Sequence, residues 1–312
     1  MPVGPYLYAK DLIDTLQYMH KHRMYNQLVF YMEACESGSM FIDLPTDMNI
    51  YVTTAANPDE SSWGTYCPPD DAVNGTNLDS CLGDLYSVNW MEDSDIRGHM
   101  NESLQDQFTI VQNETTLSHV MQYGELDWTD EPIGEFQGNL TDSIRSFAKV
   151  LQNKRTIPLS RTSVKETNSI SSRYATLASL QIRANKGSII AQKQLEEELY
   201  KIRVFAEAFT LLDKYIHIYL QTSAYISNNL TAITMYESSA WTATSPIYIT
   251  QWNCYKQAND ILESSLCGRY TDTTLKYART VAHMCEITNG NMAWMTNTIM
   301  QACNTAVTNL SE

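Results

Sequence analysis

The stretch LVFYMEACESGSMF, residues 28–41, runs five apolar or aromatic residues into Glu33, Ala34 and Cys35, and then into the small, turn-prone Ser37, Gly38 and Ser39. A thiol at the end of a buried strand is placed where open α/β sheets bind their ligands. The Ser-Gly-Ser run lets the backbone turn sharply and offers the Cys35 N–H to an oxyanion. The chemistry this suggests is nucleophilic attack on an acyl group, which needs a nearby base. Of the histidines, His20 and His22 belong to the helix that leads into the strand and fall at its N-terminal edge. Seven residues of strand rise about 23 Å, so neither reaches Cys35. His99 and His119 come later in the chain and stay open as candidates.

The elements around Cys35 read as follows. Residues 9–26 carry Leu12, Ile13, Leu16 and Met19 at helical spacing, which predicts a helix. The strand Leu28–Met32 follows, then a second strand in NIYVTTA and a further one in SHVMQYGEL. Helix, strand, loop, strand is α/β order. Residues 58–83, rich in Pro, Asp, Gly and Ser, predict one long loop with Cys67 and Cys81 at its ends. Residues 152–175 are polar and predict an irregular linker. Beyond them the pattern becomes helical. Leu195, Leu199, Ile202, Phe205, Phe209 and Leu212 recur every three or four residues, and further helical segments follow near 252–266, 273–288 and 290–306.

Charge divides the chain in the same way. Residues 1–150 hold 6 Lys and Arg against 24 Asp and Glu, a balance of −18, whereas residues 151–312 hold 15 against 12, a balance of +3. Two such modules attract each other. So acidic a chain is a poor partner for nucleic acid, and no apolar run is long enough to span a bilayer. The opening MPVGPYLYAKDL has neither the basic nor the apolar region of a secretory signal. The seven cysteines nevertheless suit an oxidising compartment: six can pair, and one thiol is left over. Sequons begin at Asn74, Asn101, Asn113, Asn139, Asn229 and Asn309. No cofactor or metal is expected.

The segment EACESGSMF resembles legumain, the asparaginyl endopeptidase family that includes the vacuolar processing enzymes. YLYAKDLIDTLQYMHKHRMYNQLVFYMEACESGSMF, NIYVTTAANPDESSWGTYCPP, CLGDLYSVNWMEDSD and SHVMQYG resemble that family's segments in the same order, and the helical half resembles its prodomain more loosely. The resemblance implies a caspase-like α/β sandwich, incomplete at its N-terminus, followed by an all-α prodomain. It divides the chain into a catalytic part at 1–150, a linker or activation peptide at 151–185 and a helical prodomain at 186–312.

On the same footing, the resemblance implies that Cys35 is the nucleophile. It makes Glu33, Ser61, Ser62, Trp63 and Asp84 the pocket for a substrate asparagine, since carboxylates satisfy the donors of a primary amide. It implies the disulfides Cys67–Cys81, Cys254–Cys285 and Cys267–Cys303, where spacing alone leaves three pairings open for the last four cysteines. Self-cleavage is expected after Asn185, with Asn168 the second choice. The helical half is expected to act as an intramolecular inhibitor, held in part by Lys193, Lys201 and Arg203 facing the acidic part. Peptides cut after asparagine, and less readily after aspartate, are the expected substrates, with a lysosome or vacuole as the compartment.

The family's catalytic histidine lies in an Asp-His-Gly segment ahead of the region where this sequence starts. The chain as written is therefore expected to be inactive alone, as a fragment of a protease. The alternative is a truncated, non-catalytic homologue that acts as a binding or regulatory protein.

Overall fold

The computed structural model describes residues 6–97, 101–138, 168–227 and 248–311. Two compact units are present, Tyr6–Thr176 and a second beginning at Leu177.

The first unit is an α/β sandwich. Helix α1 (Ala9–Lys21) precedes strand β1 (Leu28–Met32), which pairs in parallel with β2 (Ile50–Thr54), Leu28 opposite Ile50. Strand β7 (Met121–Gly124) closes the other side of β2 antiparallel, Thr54 opposite Met121. The central strand β2 is buried at every residue, and its side chains alternate between faces, as a pleated strand requires. Ile50 and Val52 join Leu16, Phe41, Leu44 and Met48, with Leu28, Phe30 and Met32 packed against them. On the other face Tyr31 meets Tyr86, Trp90, Phe108 and Val111, from helices α2 (Leu85–Arg97) and α3 (Leu104–Glu114). Helices thus cover both faces of the sheet, with the short helix α4 (Gly134–Gln137) following β7, and the α/β expectation holds.

Helix α3 starts on a capping box. Ser103 Oγ accepts the Asp106 N–H at 3.0 Å, and Asp106 accepts the Ser103 N–H. Gly124 ends β7 at φ +83°, and a Cβ there would lie 2.2 Å from the Ile50 carbonyl oxygen, so only glycine fits. Strand β1 lies at the edge of the sheet among the described residues, and all five of its side chains are partly exposed.

Three local expectations change. Helix α1 stops at Lys21 instead of residue 26, because the chain turns through Arg23 at φ +52° to enter β1. The segment 58–83 is not one loop. It contains β3 (Trp63–Thr65), the hairpin β4 (Ala72–Val73) and β5 (Thr76–Asn77), and the start of β6 (Gly83–Asp84). The hairpin turns on Asn74-Gly75, both at positive φ, a pairing suited to a two-residue turn. Residues 168–175 are not irregular either. Strand β8 (Ile170–Ser171) pairs antiparallel with β3, which also pairs with β6, and helix α5 (Ser172–Asn185) follows directly. Short strands like these carry no readable period; they form because a partner edge is available. Residues 151–167 lie outside the described residues.

The second unit is helical. Helix α6 (Ile189–Ser227) buries Leu195, Phe205, Phe209, Leu212 and Ile216 and packs along α9 (Met292–Ser311), which buries Met295, Ile299, Ala302 and Ala306. Leu199, expected on that stripe, is 41% exposed. Phe205 and Phe209 stack with Tyr277. Cys254 on α7 (Trp252–Ser264) is bonded to Cys285 on α8 (Ala278–Ile287), and Cys267 to Cys303 on α9. Lys193 faces Glu197 on its own helix. No helix among the described residues is long and apolar enough to cross a membrane.

Candidate active site

Strand β1 delivers Glu33, Ala34 and Cys35 to the C-terminal edge of the sheet. The chain then reverses through Glu36, at φ +50°, into a 3-10 turn over Ser37–Met40. That turn docks on the end of β2: the Gly38 N–H donates to the Ala56 carbonyl at 3.1 Å, and Ser37 Oγ accepts the Ala56 N–H at 3.1 Å. A Cβ on Gly38 would stand 2.4 Å from the Tyr123 hydroxyl and 3.0 Å from Pro58, which is why the small residue sits there.

Cys35 is half-buried, and it is the free cysteine beside three disulfides. Its Sγ lies 3.7 Å from Ser62 Oγ. Behind it Glu33 receives both the N–H and the hydroxyl of Ser87 on Oε2, each at 2.9 Å, while Oε1 is buried and makes no hydrogen bond among the described residues. Burial, and then the negative charge of Asp84, push the Glu33 carboxyl up to about 7, with the Ser87 hydrogen bonds acting in the opposite direction. Glu33 thus titrates near neutrality, and its bare oxygen is the kind of buried group that a polar ligand would satisfy.

The wall opposite comes from the small sheet β6-β3-β8. Ser61 and Ser62 precede Trp63 on β3, and β6 sets Asp84 opposite Gly64. The disulfide Cys67–Cys81 ties the far ends of β3 and β6 together. Cys35, Ser62 and Asp84 are brought together in one network through shared partners, and Glu33 lies close enough to feel the charge of Asp84.

Two residues outside the expected set complete that network. Ser172 donates its hydroxyl to Asp84 Oδ1 at 2.9 Å and receives that of Ser62 at 3.2 Å. Its N–H donates to the Ser62 carbonyl at 3.0 Å. Arg173, only 8% exposed, pairs with Glu36 and donates from Nε to Ser61 Oγ at 3.3 Å. The segment after residue 168 therefore lies along the site as a third strand. Upstream, Asn168 accepts the Cys67 N–H with its carbonyl and donates its amide to Asp70. A polar SISSR run gives no local sign of this; only its partners make it a strand.

The histidines divide. The His20 ring bonds to the Met48 carbonyl at the far end of the sheet, and His22 stacks on Tyr18. His119 places Nδ1 2.9 Å from Glu60 Oε2. His99 lies outside the described residues, as do Asn139 and Asn229. Asn74, Asn101, Asn113 and Asn309 are exposed, and so is Asn185 at the end of α5.

A free thiol thus stands beside the Ser62 hydroxyl and near two carboxylates, one of them buried. Residues 1–139 match the peptidase C13 family. Vacuolar-processing enzyme beta-isozyme 1 of Oryza sativa is 33% identical over 319 residues, covering 97% of this chain and 59% of the relative. Mouse legumain is 32% identical over 283 residues, covering 90% of this chain and 58% of its own length. The vacuolar-processing enzyme of Vicia sativa is 48% identical over 159 residues, 49% of this chain and 32% of that protein. The chain thus spans less than three fifths of the length of these relatives. Residues 1–139 belong to the peptidase C13 family, and along nearly its whole length the chain is a homologue of the legumains and vacuolar-processing enzymes.

Proposed function

We propose that this chain belongs to a cysteine endopeptidase that cleaves after asparagine, and less readily after aspartate, through a thioester on Cys35. The observation that carries the reading is the placement of the thiol against Ser62, which reaches Asp84 through Ser172, with the Glu33 carboxyl close enough to feel the Asp84 charge. A substrate amide would donate its two N–H groups to these carboxylates, and a pocket built on such contacts rejects side chains that cannot make them. The thiolate attacks the scissile carbonyl, the amine leaves with a proton, and water then releases the acyl group.

Similarity to vacuolar-processing enzymes and to legumain supports protein processing, with a vacuole or lysosome as the proposed compartment. Residues 168–173 support self-inhibition of a particular kind. Ser172 occupies Asp84, the partner a substrate amide needs, and β8 takes the β3 edge where an extended peptide would add. The helical half would act by holding this segment in place, and a cut after the exposed Asn185 would separate the two.

Thiol activation needs a base, and in the unit that holds Cys35 the described histidines His20, His22 and His119 are each engaged elsewhere. We therefore expect no turnover by the 312-residue polypeptide alone. The test is the chain preceded by an Asp-His-Gly-bearing segment of a C13 relative, as wild type and as Cys35→Ser. Cleavage of peptides after asparagine that is lost in Cys35→Ser is the expected result. Cleavage after basic or aromatic residues would overturn the specificity, and activity that survives Cys35→Ser would overturn the nucleophile. Robust turnover by the 312-residue chain itself would show that it already contains the base. Binding of asparaginyl peptides without turnover in every form would favour the non-catalytic reading.

A further inference from the structure

Glu36, next to the nucleophile, sits in the left-handed region at φ +50°. A residue with a Cβ stays there only where its neighbours over-determine it. Its N–H donates to the Glu60 carbonyl at 2.7 Å, and its own carbonyl accepts the Ser39 N–H at 2.8 Å. Glu60 is itself tightly held. Oε1 accepts the Asn57 N–H at 2.9 Å and the His119 N–H at 2.7 Å, and Oε2 faces His119 Nδ1 at 2.9 Å. Hydrogen bonds to an ionised carboxylate are stronger than neutral ones.

One carboxylate therefore joins the turn after β2 to the approach to β7. Through the carbonyl of the same residue it also joins the turn that carries Cys35. Ser61, Ser62 and Trp63 follow Glu60 directly, so the anchor that sets the thiol's turn also sets the pocket wall. The His119 imidazole is 77% exposed while the Glu60 side chain is 24% exposed; the histidine closes the clasp from outside.

The geometry assigns Glu60 as a positioning residue: its carboxylate, held by Asn57 and His119, fixes the register between the Cys35 thiol and the asparagine pocket. The assignment rests on the function proposed above for that pocket. Glu60 touches no reacting atom and acts through the backbone on either side of it.

The experiment uses the full 312-residue chain. Cys35 is its free thiol, so labelling reports on that residue. Two probes are compared: iodoacetamide, which needs no pocket, and a peptidyl Michael acceptor carrying an asparagine side chain, which does. In Glu60→Ala the ratio of directed to undirected labelling should fall about tenfold, because a small misplacement of reacting groups is costly, while the iodoacetamide rate rises about threefold as the thiol is freed. Glu60→Gln should keep most of the ratio, since its side-chain oxygen can still accept the Asn57 and His119 N–H groups. An unchanged ratio in a folded Glu60→Ala protein would overturn the assignment.

If wild type shows no preference for the directed probe, the comparison moves to the Ser172→Ala, Arg173→Ala background, in which the segment over the site is released; no preference there means that the pocket reading fails instead. The iodoacetamide rate then decides the clasp: a rise in Glu60→Ala supports it, and no change overturns it. Should Glu60→Ala not fold, His119→Ala removes the imidazole and leaves every backbone N–H; its ratio should fall about threefold, and an unchanged ratio would again overturn the assignment.

Discussion

Replacing Glu33 with glutamine should flatten the dependence of stability on pH. In the fold the Glu33 carboxyl titrates at about 7, against 4.5 for the unperturbed group. An acid whose pKa is raised by folding costs nothing when protonated in both states. The cost grows as pH climbs above 4.5, where the unfolded chain ionises first, and levels off above 7, where the folded chain has followed. A gap of about 2.5 units corresponds to about 3 kcal/mol, an order-of-magnitude figure. The glutamine side chain keeps an oxygen for the Ser87 N–H and hydroxyl and removes the charge that Asp84 opposes. Urea unfolding of wild type and Glu33→Gln, followed by tryptophan fluorescence, should show the variant gaining about 3 kcal/mol on wild type between pH 4.5 and pH 8. If the difference between the two proteins moves by less than about 0.5 kcal/mol across that range, Glu33 titrates normally and its burial has been misjudged. Asp84→Asn should lower the midpoint only in part, because burial is the larger cause.

Ser172→Ala with Arg173→Ala should speed alkylation of Cys35 by iodoacetamide severalfold, measured by intact-mass kinetics, since the two side chains hold the segment over the site; an unchanged rate would mean that the segment does not limit access. Opening the Cys67–Cys81 bond by replacing both residues with Ala should cost about 3 kcal/mol for a loop of this size, read as a lower urea midpoint, and should loosen the pairing of β3 with β6. Gly38→Ala should destabilise the first unit by about 1–3 kcal/mol in the same assay, because the new methyl meets Tyr123 and Pro58. In a form that turns over, N-terminal sequencing of the released helical half should begin at Lys186; a start at Ser169 would mean that Asn168 breaks its bonds to Cys67 and Asp70 first.

The strands Leu28–Met32 and Ile50–Thr54 were legible because apolar runs flanked by turn residues have few other readings. Helix α1 was legible from Leu12, Ile13, Leu16 and Met19, although its end was not, since Arg23 breaks it by conformation and not by composition. The strands β3 to β6 were hidden because two or three residues cannot show a period. In the site, Cys35 stood out by its place after a strand and by the odd cysteine count. Glu33, Ser61, Ser62, Trp63 and Asp84 were reached through family resemblance, because nothing about an isolated acid or serine marks a pocket. Ser172 and Arg173 went unseen for a different reason. Arg173 meets Glu36 across 137 positions of sequence, and a polar serine-rich run has no pattern that announces a distant partner. Nothing in the sequence marks Glu60, because the role assigned to it lies in the N–H groups that converge on it.

The strand that lies along β3 is covalently part of the unit it occupies, so it competes with a free peptide at an effective concentration in the millimolar range for short tethers. If a substrate adds at the β3 edge as proposed, at micromolar concentration it would meet a more concentrated rival there. Severing the chain after Asn185 does not change this arithmetic, because residues 168–185 stay joined through their N-terminal side. That cut separates the helical unit but leaves Ser172 and Arg173 beside the thiol. On the function proposed above, activation would take two events in series, the second being either loss of the contacts to Asp84 and Glu36 or a break upstream of Ser172. Cleavage at Asn185 alone should leave Cys35 nearly as shielded as before, and the lag between that cleavage and full thiol reactivity measures how long the tethered strand holds its place.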